Sequence, residues 1–406
     1  PCLPIDLFGV SLMLRRFAIV FIFISLGSLA SYYIYQATIG QQEPAEQCTA
    51  SPVSKIKNTP TPKKATITLT AAGDCLMHNT QIWSGLQADG SYCFDSFFPE
   101  VRELIMEGDY SSINFEAAMA GPDSAYTGYP LFNSPDAMAQ TLKEAGFDLV
   151  ATANNHCLDR GVKGAIRTLK VLEQAGLDTL GTYKSEEDSH TYLIKDIKGV
   201  KVAYLAYTYG TNGIPLPDEY SFLINFLDEK EILADIKAVR PQVDVLVLVL
   251  HWGLEYNPRP SDMQKRQAYS FLEAGADVIL GSHPHVIQTM EKIRIAEKDK
   301  FVIYSMGNFI SHQIGQERNS GIVLKMKFTK DFSSGNTLLD EVSYTPTFSH
   351  SYQEAGKMKF RVVPVEKTIE KIEKGEERIL SKNHLPLLQA VLASTRSQLG
   401  EGFSRK

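Results

Sequence analysis

Asp74, Glu116, Asn155, His251, His283 and His285 are residue types that hold metal ions, and each follows a run of apolar residues. Carboxylates, imidazoles and an amide oxygen together suit borderline divalent ions such as Mn, Zn or Fe. A calcium site would be built from oxygens alone and a structural zinc site from thiolates. Two such ions about 3.5–4 Å apart clamp a phosphoryl or similar group and supply hydroxide near neutral pH. Such a pair needs a bridging carboxylate, and Glu116 is the candidate. The stretch "ATANNHCLDRG" (Ala151–Gly161) adds His156 beside Asn155, polar groups that cost free energy if buried unpaired.

Strands must position these residues. "ATITLTAAGD" alternates β-branched residues and ends at Gly73-Asp74. Further strands are predicted over residues 110–116, 147–153, 201–209, 243–253, 277–283 and 301–309. Between them "PDAMAQTLKEAG" and "VKGAIRTLKVLEQAG" carry apolar residues at three-and-four spacing with a terminal Gly, the pattern of helices. The alternation predicts an α/β fold, and "VLVLVL" is apolar on both faces, as a central strand would be. Beyond Gly321, three strands without helices between them predict an antiparallel extension. A charged helical segment from Glu366 carries no evident chemistry.

Asp74, Glu116, Asn155 with His156, His251 with Glu255, His283 with His285, and Asn308 each end a predicted strand. In open α/β sheets such ends line one crevice. Taken singly, each has a structural explanation: "AAGD" a turn, Asn154-Asn155 a helix cap, "HPH" a surface turn set by Pro284. Six strand ends in one chain favour a shared site.

The composition, 44% hydrophobic and 22% charged over 406 residues with a net charge of -6, is that of a globular protein with added segments. No Lys/Arg stripe with interleaved aromatics occurs, which argues against nucleic acid as a partner. The sequence opens on Pro1, and Met13 reads as the more natural start. Residues 17–36 form an uncharged apolar span, "FAIVFIFISLGSLASYYIY" and the next residue, near the length of a transmembrane helix. Arg15 and Arg16 before it place the amino terminus in the cytoplasm and the rest outside; a cleaved signal peptide ending near Ala30 is the alternative. The expected plan is a cytoplasmic segment 1–16, the anchor 17–36, an extracytoplasmic linker 37–65, a domain 66–365 and a helical segment 366–406. Cys2, Cys48, Cys75, Cys93 and Cys157 show no CxxC spacing and predict no zinc ribbon.

The motifs "GD" (Gly73-Asp74), "NFE" (Asn114–Glu116), "GFDLVATANNHCLDRG" (Gly146–Gly161), "HWGLEY" (His251–Tyr256), "GSHPHVIQ" (Gly281–Gln288) and "YSMGNF" (Tyr304–Phe309) fall in that order. In this the chain resembles the CapA poly-γ-glutamate capsule biosynthesis proteins of the calcineurin-like metallophosphatase superfamily. The resemblance implies a four-layer α/β/β/α sandwich with two divalent ions. It further implies Asn155, His251 and His283 on one ion, Asp74 with His285 on the other, Glu116 bridging, and His156 as the acid for a leaving group. Two positions depart from the superfamily: Leu76 stands where a histidine is usual, His78 being the nearest, and Glu116 replaces an aspartate.

The resemblance implies a membrane-anchored, extracytoplasmic protein acting in synthesis, export or anchoring of poly-γ-glutamate, with that polymer and membrane capsule-synthase subunits as partners. An extracellular phosphoesterase of another substrate and a non-catalytic polymer-binding subunit are the alternatives. Glu255, Asn308 and Arg160 are candidate substrate-binding residues, with Arg259 and Arg318 as further cations for polymer carboxylates; solvated surface arginines are the plainer reading of all three. His78 and His312 read as ordinary polar side chains, and Cys75 and Cys157 as packing residues.

Overall fold

The computed structural model describes residues 63–400. The expected anchor at 17–36 and nearly all of the expected linker lie outside the described residues. Among those described, no helix is long and apolar enough to cross a membrane.

In chain order the first half comprises β1 (Lys64–Cys75), α1 (Asn79–Gly85), α2 (Arg102–Met106), β2 (Tyr110–Phe115), α3 (Ala137–Ala145), β3 (Leu149–Ala151), α4 (Gly161–Gln174), β4 (Asp178–Leu180), α5 (Glu186–Ser189), β5 (Leu193–Ile197) and β6 (Val200–Thr208). Next come α6 (Glu229–Val239), β7 (Val245–His251), α7 (Asp262–Ala274), β8 (Val278–Ser282), β9 (Met290–Ile295), β10 (Lys298–Ile303) and β11 (Asn308–Ile310). The chain closes with β12 (Ser320–Asp331), β13 (Thr337–Glu354), β14 (Lys357–Pro364), α8 (Val365–Lys374) and α9 (Leu385–Leu399).

The strands form two sheets. One runs β14-β13-β12-β1-β2-β3-β4, with β11 also paired to β1; the other runs β5-β6-β7-β8-β10-β9. Strands β1 to β4 are mutually parallel, as are β6, β7, β8 and β10. The expected antiparallel extension is β12, β13 and β14.

Strand β7 shows why the sheets stack. Its valines 245, 247 and 249 enter the core between the sheets with Leu69, Leu149 and Leu280, while Leu246, Leu248 and Leu250 pack under Ile236 of α6 and Phe271 of α7. A period-two side-chain pattern thus buries both faces of one strand. On the outer face of the other sheet, Ile82, Ile105, Leu142 and Leu172 bring in α1, α2, α3 and α4. Helices α8 and α9 cover Phe348 and Val363 of its antiparallel half. The result is a four-layer α/β/β/α sandwich.

Three details differ from expectation. The sheet begins at Lys64, two residues before the expected boundary. "FVIYSMGNF" is two strands: β10 ends at Ile303 in one sheet and β11 starts at Asn308 in the other. The chain changes sheets through Gly307, whose φ of 71° suits glycine. Strands β4, β5 and β9 are short or partly exposed and lack a clear apolar signal.

Candidate metal centre

The carboxyl ends of parallel strands from both sheets meet at one place. In register, Asp74 of β1 lies opposite Asn114 of β2 and Asn308 of β11. Gly73 makes this possible, because a Cβ there would stand 1.9 Å from the Gly307 carbonyl oxygen. Across the interface β7 presents His251, and the turn after β8 presents His283 and His285. Both turn histidines have left-handed backbones, with φ of 96° and 59°, a conformation that costs free energy in a non-glycine residue. Both rings are buried, so "HPH" is not a surface turn.

The side chains converge closely. Asp74 Oδ1 accepts from the Asn114 amide at 2.7 Å, and Oδ2 accepts from the His283 backbone N–H at 3.2 Å and lies 3.6 Å from His285 Nδ1. Glu116 Oε1 is 3.6 Å from His251 Nε2 and 3.7 Å from His285 Nε2. Asn155 Oδ1 is 2.8 Å from His251 Nε2. Two ligand sets emerge, Asp74–Glu116–His251 and Glu116–His283–His285, the atoms of each within 4.8 Å of one another. The family pattern divides the histidines differently, placing His251 with His283; those two rings are 4.8 Å apart. Both divisions share Glu116.

The donor set fits metal ions on an observation of its own. Both Glu116 carboxylate oxygens and His283 Nδ1 are buried without a hydrogen-bond partner. A buried carboxylate left bare in this way is costly, and a cation between the two sets would satisfy it. Neighbouring side chains hold two of these imidazoles in place: His251 Nδ1 meets Ser282 Oγ at 3.0 Å, and His285 Nδ1 meets Asn308 Oδ1 at 3.0 Å.

Burial and neighbouring charge set the protonation states. Burial pushes Glu116 up to about 8. Burial also pushes the imidazoles of His251 and His283 down, to about 3 and about 2, leaving them in the neutral form that ligates metals. For His285, burial is outweighed by Glu116 and Asp74, which push it up to about 9. Burial raises Asp74 as well, but His285, His251 and the Asn114 amide together hold it below the usual carboxylate range. Glu116 and His285 are therefore both held toward their protonated forms in the metal-free chain, and a bound ion would displace those protons.

His156 stands beside this cluster. Its Nδ1 lies 2.8 Å from Asp159 Oδ2, which also accepts from the Phe132 backbone N–H at 2.7 Å. Phe132 packs edge-on against the imidazole with centroids 4.6 Å apart. The Asn212 amide nitrogen is 3.4 Å from His156 Nε2, and its Oδ1 accepts from Asn155 Nδ2 at 3.1 Å. Sequence reasoning missed Asp159, although its place three residues after His156 was a usable signal. Asn212 sits in an irregular loop after β6, and no pattern in the sequence announces it.

The remaining candidates sort by what they touch. Glu255 is exposed on the turn after β7, and its charge reaches Glu116 and His285. Two expected substrate-binding residues are otherwise engaged. Arg160 donates to Phe132 O at 3.3 Å, to Leu131 O at 2.7 Å and to Thr127 Oγ1, bracing the loop that packs on His156. Asn308 is buried, and its amide donates to Ser311, Gln313 and the Arg318 carbonyl. Leu76 is buried, and His78 binds Gln81 Oε1 at 3.2 Å, outside both ligand sets. His312 accepts from or donates to Thr80 Oγ1 at 2.7 Å. Cys75 and Cys157 are free and buried, burial pushes both thiols up, and neither belongs to either ligand set.

With this geometry in place, the chain can be compared with known proteins. Residues 68–313 match the family described as bacterial capsule synthesis protein PGA_cap. The capsule biosynthesis protein CapA of Bacillus anthracis is 31% identical over 288 residues, 68% of this chain and 66% of that protein. The PGA biosynthesis protein CapA of Bacillus subtilis (strain 168) is 29% identical over 236 residues, 54% of this chain and 57% of that protein. The chain thus spans less than two thirds of the length of either relative. Among solved structures, a phosphatase from Mycoplasma pneumoniae superposes with a TM-score of 0.41 at 13% identity, covering 70% of this chain and 93% of that one. The layers and strand order above rest on this chain's own packing. The family match over residues 68–313 carries the conclusion that the chain belongs to the bacterial capsule synthesis PGA_cap family, that of the CapA proteins.

Proposed function

We propose that this chain is a membrane-anchored, extracytoplasmic enzyme of capsule biosynthesis with a metallophosphatase-like centre, catalysing hydrolysis or transfer on poly-γ-glutamate or its attachment point. The observation that carries the reading is Glu116, a buried carboxylate without a hydrogen-bond partner, shared by two sets of metal-ligating side chains. Asp74, Asn155, His251, His283 and His285 complete the set that would hold two divalent ions, Mn, Zn or Fe. Bound ions would supply a nucleophilic hydroxide and charge stabilisation at the scissile group.

The residues beside the centre manage the proton. Asp159 fixes the ring of His156 through Nδ1, leaving Nε2 to deliver a proton to a leaving group. Phe132 and the loop braced by Arg160 keep water from the other face of that ring. The apolar span at 17–36 supports the placement at the membrane, where capsule-synthase subunits are the expected partners, and the CapA relatives support the role in capsule biosynthesis.

The test is metal content by elemental analysis of the purified chain, paired with release of fragments from poly-γ-glutamate and of phosphate from a phosphoester. About two transition-metal ions per chain, falling below about one in Glu116→Gln, are expected. Activity on the phosphoester alone would move the assignment to a phosphoesterase. Wild-type protein that binds polymer but retains no metal would make it a binding subunit.

A further inference from the structure

A cleft of about 440 Å³ opens beside the centre, between the turn that carries Tyr256, the segment leading into β12, and helix α9. It adjoins the ligand cluster directly: Val286 in its wall follows His285, and the Tyr256 ring lies 5.8 Å from the His285 ring. We propose that this cleft is a carboxylate-binding subsite, in which Arg318 holds one side-chain carboxylate of an extended polyanion whose backbone continues to the centre. The proposal rests on the polymer reading of the function and names the part of the site that recognises it.

Arg318 is prepared for that task. Its guanidinium lies 3.8 Å from the centre of the Tyr256 ring, a cation–π contact that holds the planar group in place. It is half-buried and forms no ion pair among the described residues, whereas Arg167, Arg361 and Arg396 each pair with a carboxylate. Asn308 ties it to the centre, accepting from His285 Nδ1 at 3.0 Å with its oxygen and donating to the Arg318 carbonyl at 2.7 Å with its amide. Guanidinium and imidazole therefore keep a set separation of at most about 10 Å, the reach of roughly two residues of an extended γ-linked chain, whose two extra backbone carbons lengthen each residue from about 3.5 Å to about 6 Å.

A second observation points to a ligand in the same cleft. Thr395 of α9 lines it, and the Thr395 hydroxyl is buried with no hydrogen-bond partner. An incoming carboxylate or amide would satisfy that group. Val286 and Ile287 offer apolar wall for the methylenes between carboxylates. Glu317 also lines the cleft, and Glu255 is exposed on the same turn as Tyr256. Their like charge confines attraction for a polyanion to the guanidinium, which fixes the register of the chain. The net charge of -6 gives no general attraction, so recognition of an acidic polymer depends on such a local cation.

The experiment measures binding by the full-length, metal-loaded chain, using the fluorescence anisotropy of a short labelled oligo-γ-glutamate and of its neutral oligo-γ-glutamine counterpart. Arg318→Met is expected to weaken the acidic oligomer about tenfold, the scale of one lost charge-assisted contact, with metal content as in wild type. Thr395→Val is expected to weaken it by a smaller factor. The neutral oligomer is expected to bind wild type and Arg318→Met alike, and more weakly than the acid binds wild type. Equal affinity of wild type and Arg318→Met for the acidic oligomer would overturn the subsite, as would equal affinity of wild type for both oligomers. Metal loss in wild type would strike the catalytic reading instead, so the two failures are told apart.

Discussion

Glu116 is the residue on which the chemistry turns, and its protonation gives a pH test. Its folded pKa lies above the usual 4.5, so between about 4.5 and about 8 the unfolded chain ionises while the folded one keeps its proton. The stability that Glu116 contributes to the metal-free chain therefore falls as pH rises through that window, while His251 and His283, held neutral by burial, contribute a rise with pH that is complete above about 6.5. His285, raised to about 9, adds stability that is complete below 6.5 and lost as pH rises toward about 9. Ions bind the deprotonated ligands, so the rise in Tm on adding Mn or Zn is expected to be larger near about pH 8 than near about pH 6. A shift that is equal at both, or larger at the lower pH, contradicts the ligand set. Asp159→Asn leaves that set intact but deprives His156 of its carboxylate partner. Turnover is expected to fall by about 10²-fold or more at unchanged metal content, with single-turnover kinetics as the measure.

At the scale of elements, the site depends on how closely β1 and β11 approach. The Gly307 carbonyl accepts from Asp74 N at 3.0 Å, and Gly73 has no room for a methyl group. Gly73→Ala is expected to cost about 2–3 kcal/mol in denaturant unfolding and to lower metal content with it, because Asp74 must move with the strand end. Unchanged stability would show that the strand pair relaxes without cost. Periodicity made most of these elements legible: β1, β2, β7, β8, β12, α3 and α4 follow directly from apolar spacing. The exchange of sheets between β10 and β11 was not legible. Nothing in "FVIYSMGNF" distinguishes one bent strand from two, and only the pairing of Asn308 with Asp74 decides it.

For the whole molecule, the parallel half carries the centre and the antiparallel half is closed by α8 and α9. Leu388 of α9 is buried against that half with Val363 and Val391. Leu388→Ala is expected to cost about 2–5 kcal/mol of stability while leaving metal content unchanged; a loss of metal at retained fold would mean that α9 supports the ligands directly. The sequence alone determined the α/β class and the antiparallel extension and set Asp74, Glu116, Asn155, His156, His251, His283 and His285 at strand ends, because strand periodicity and residue chemistry are local properties; their division into ligands and an acid is what the family resemblance implies. The tertiary structure decided what those residues do together: that the ends of two sheets meet, that Glu116 is bare between two ligand sets, and that Asp159 and Asn212 stand against His156. It also decided that Arg160 braces a loop while Arg318 faces a cleft. A side chain's partners lie far away along the chain, as His283 lies 209 residues from Asp74, and spacing carries no record of them.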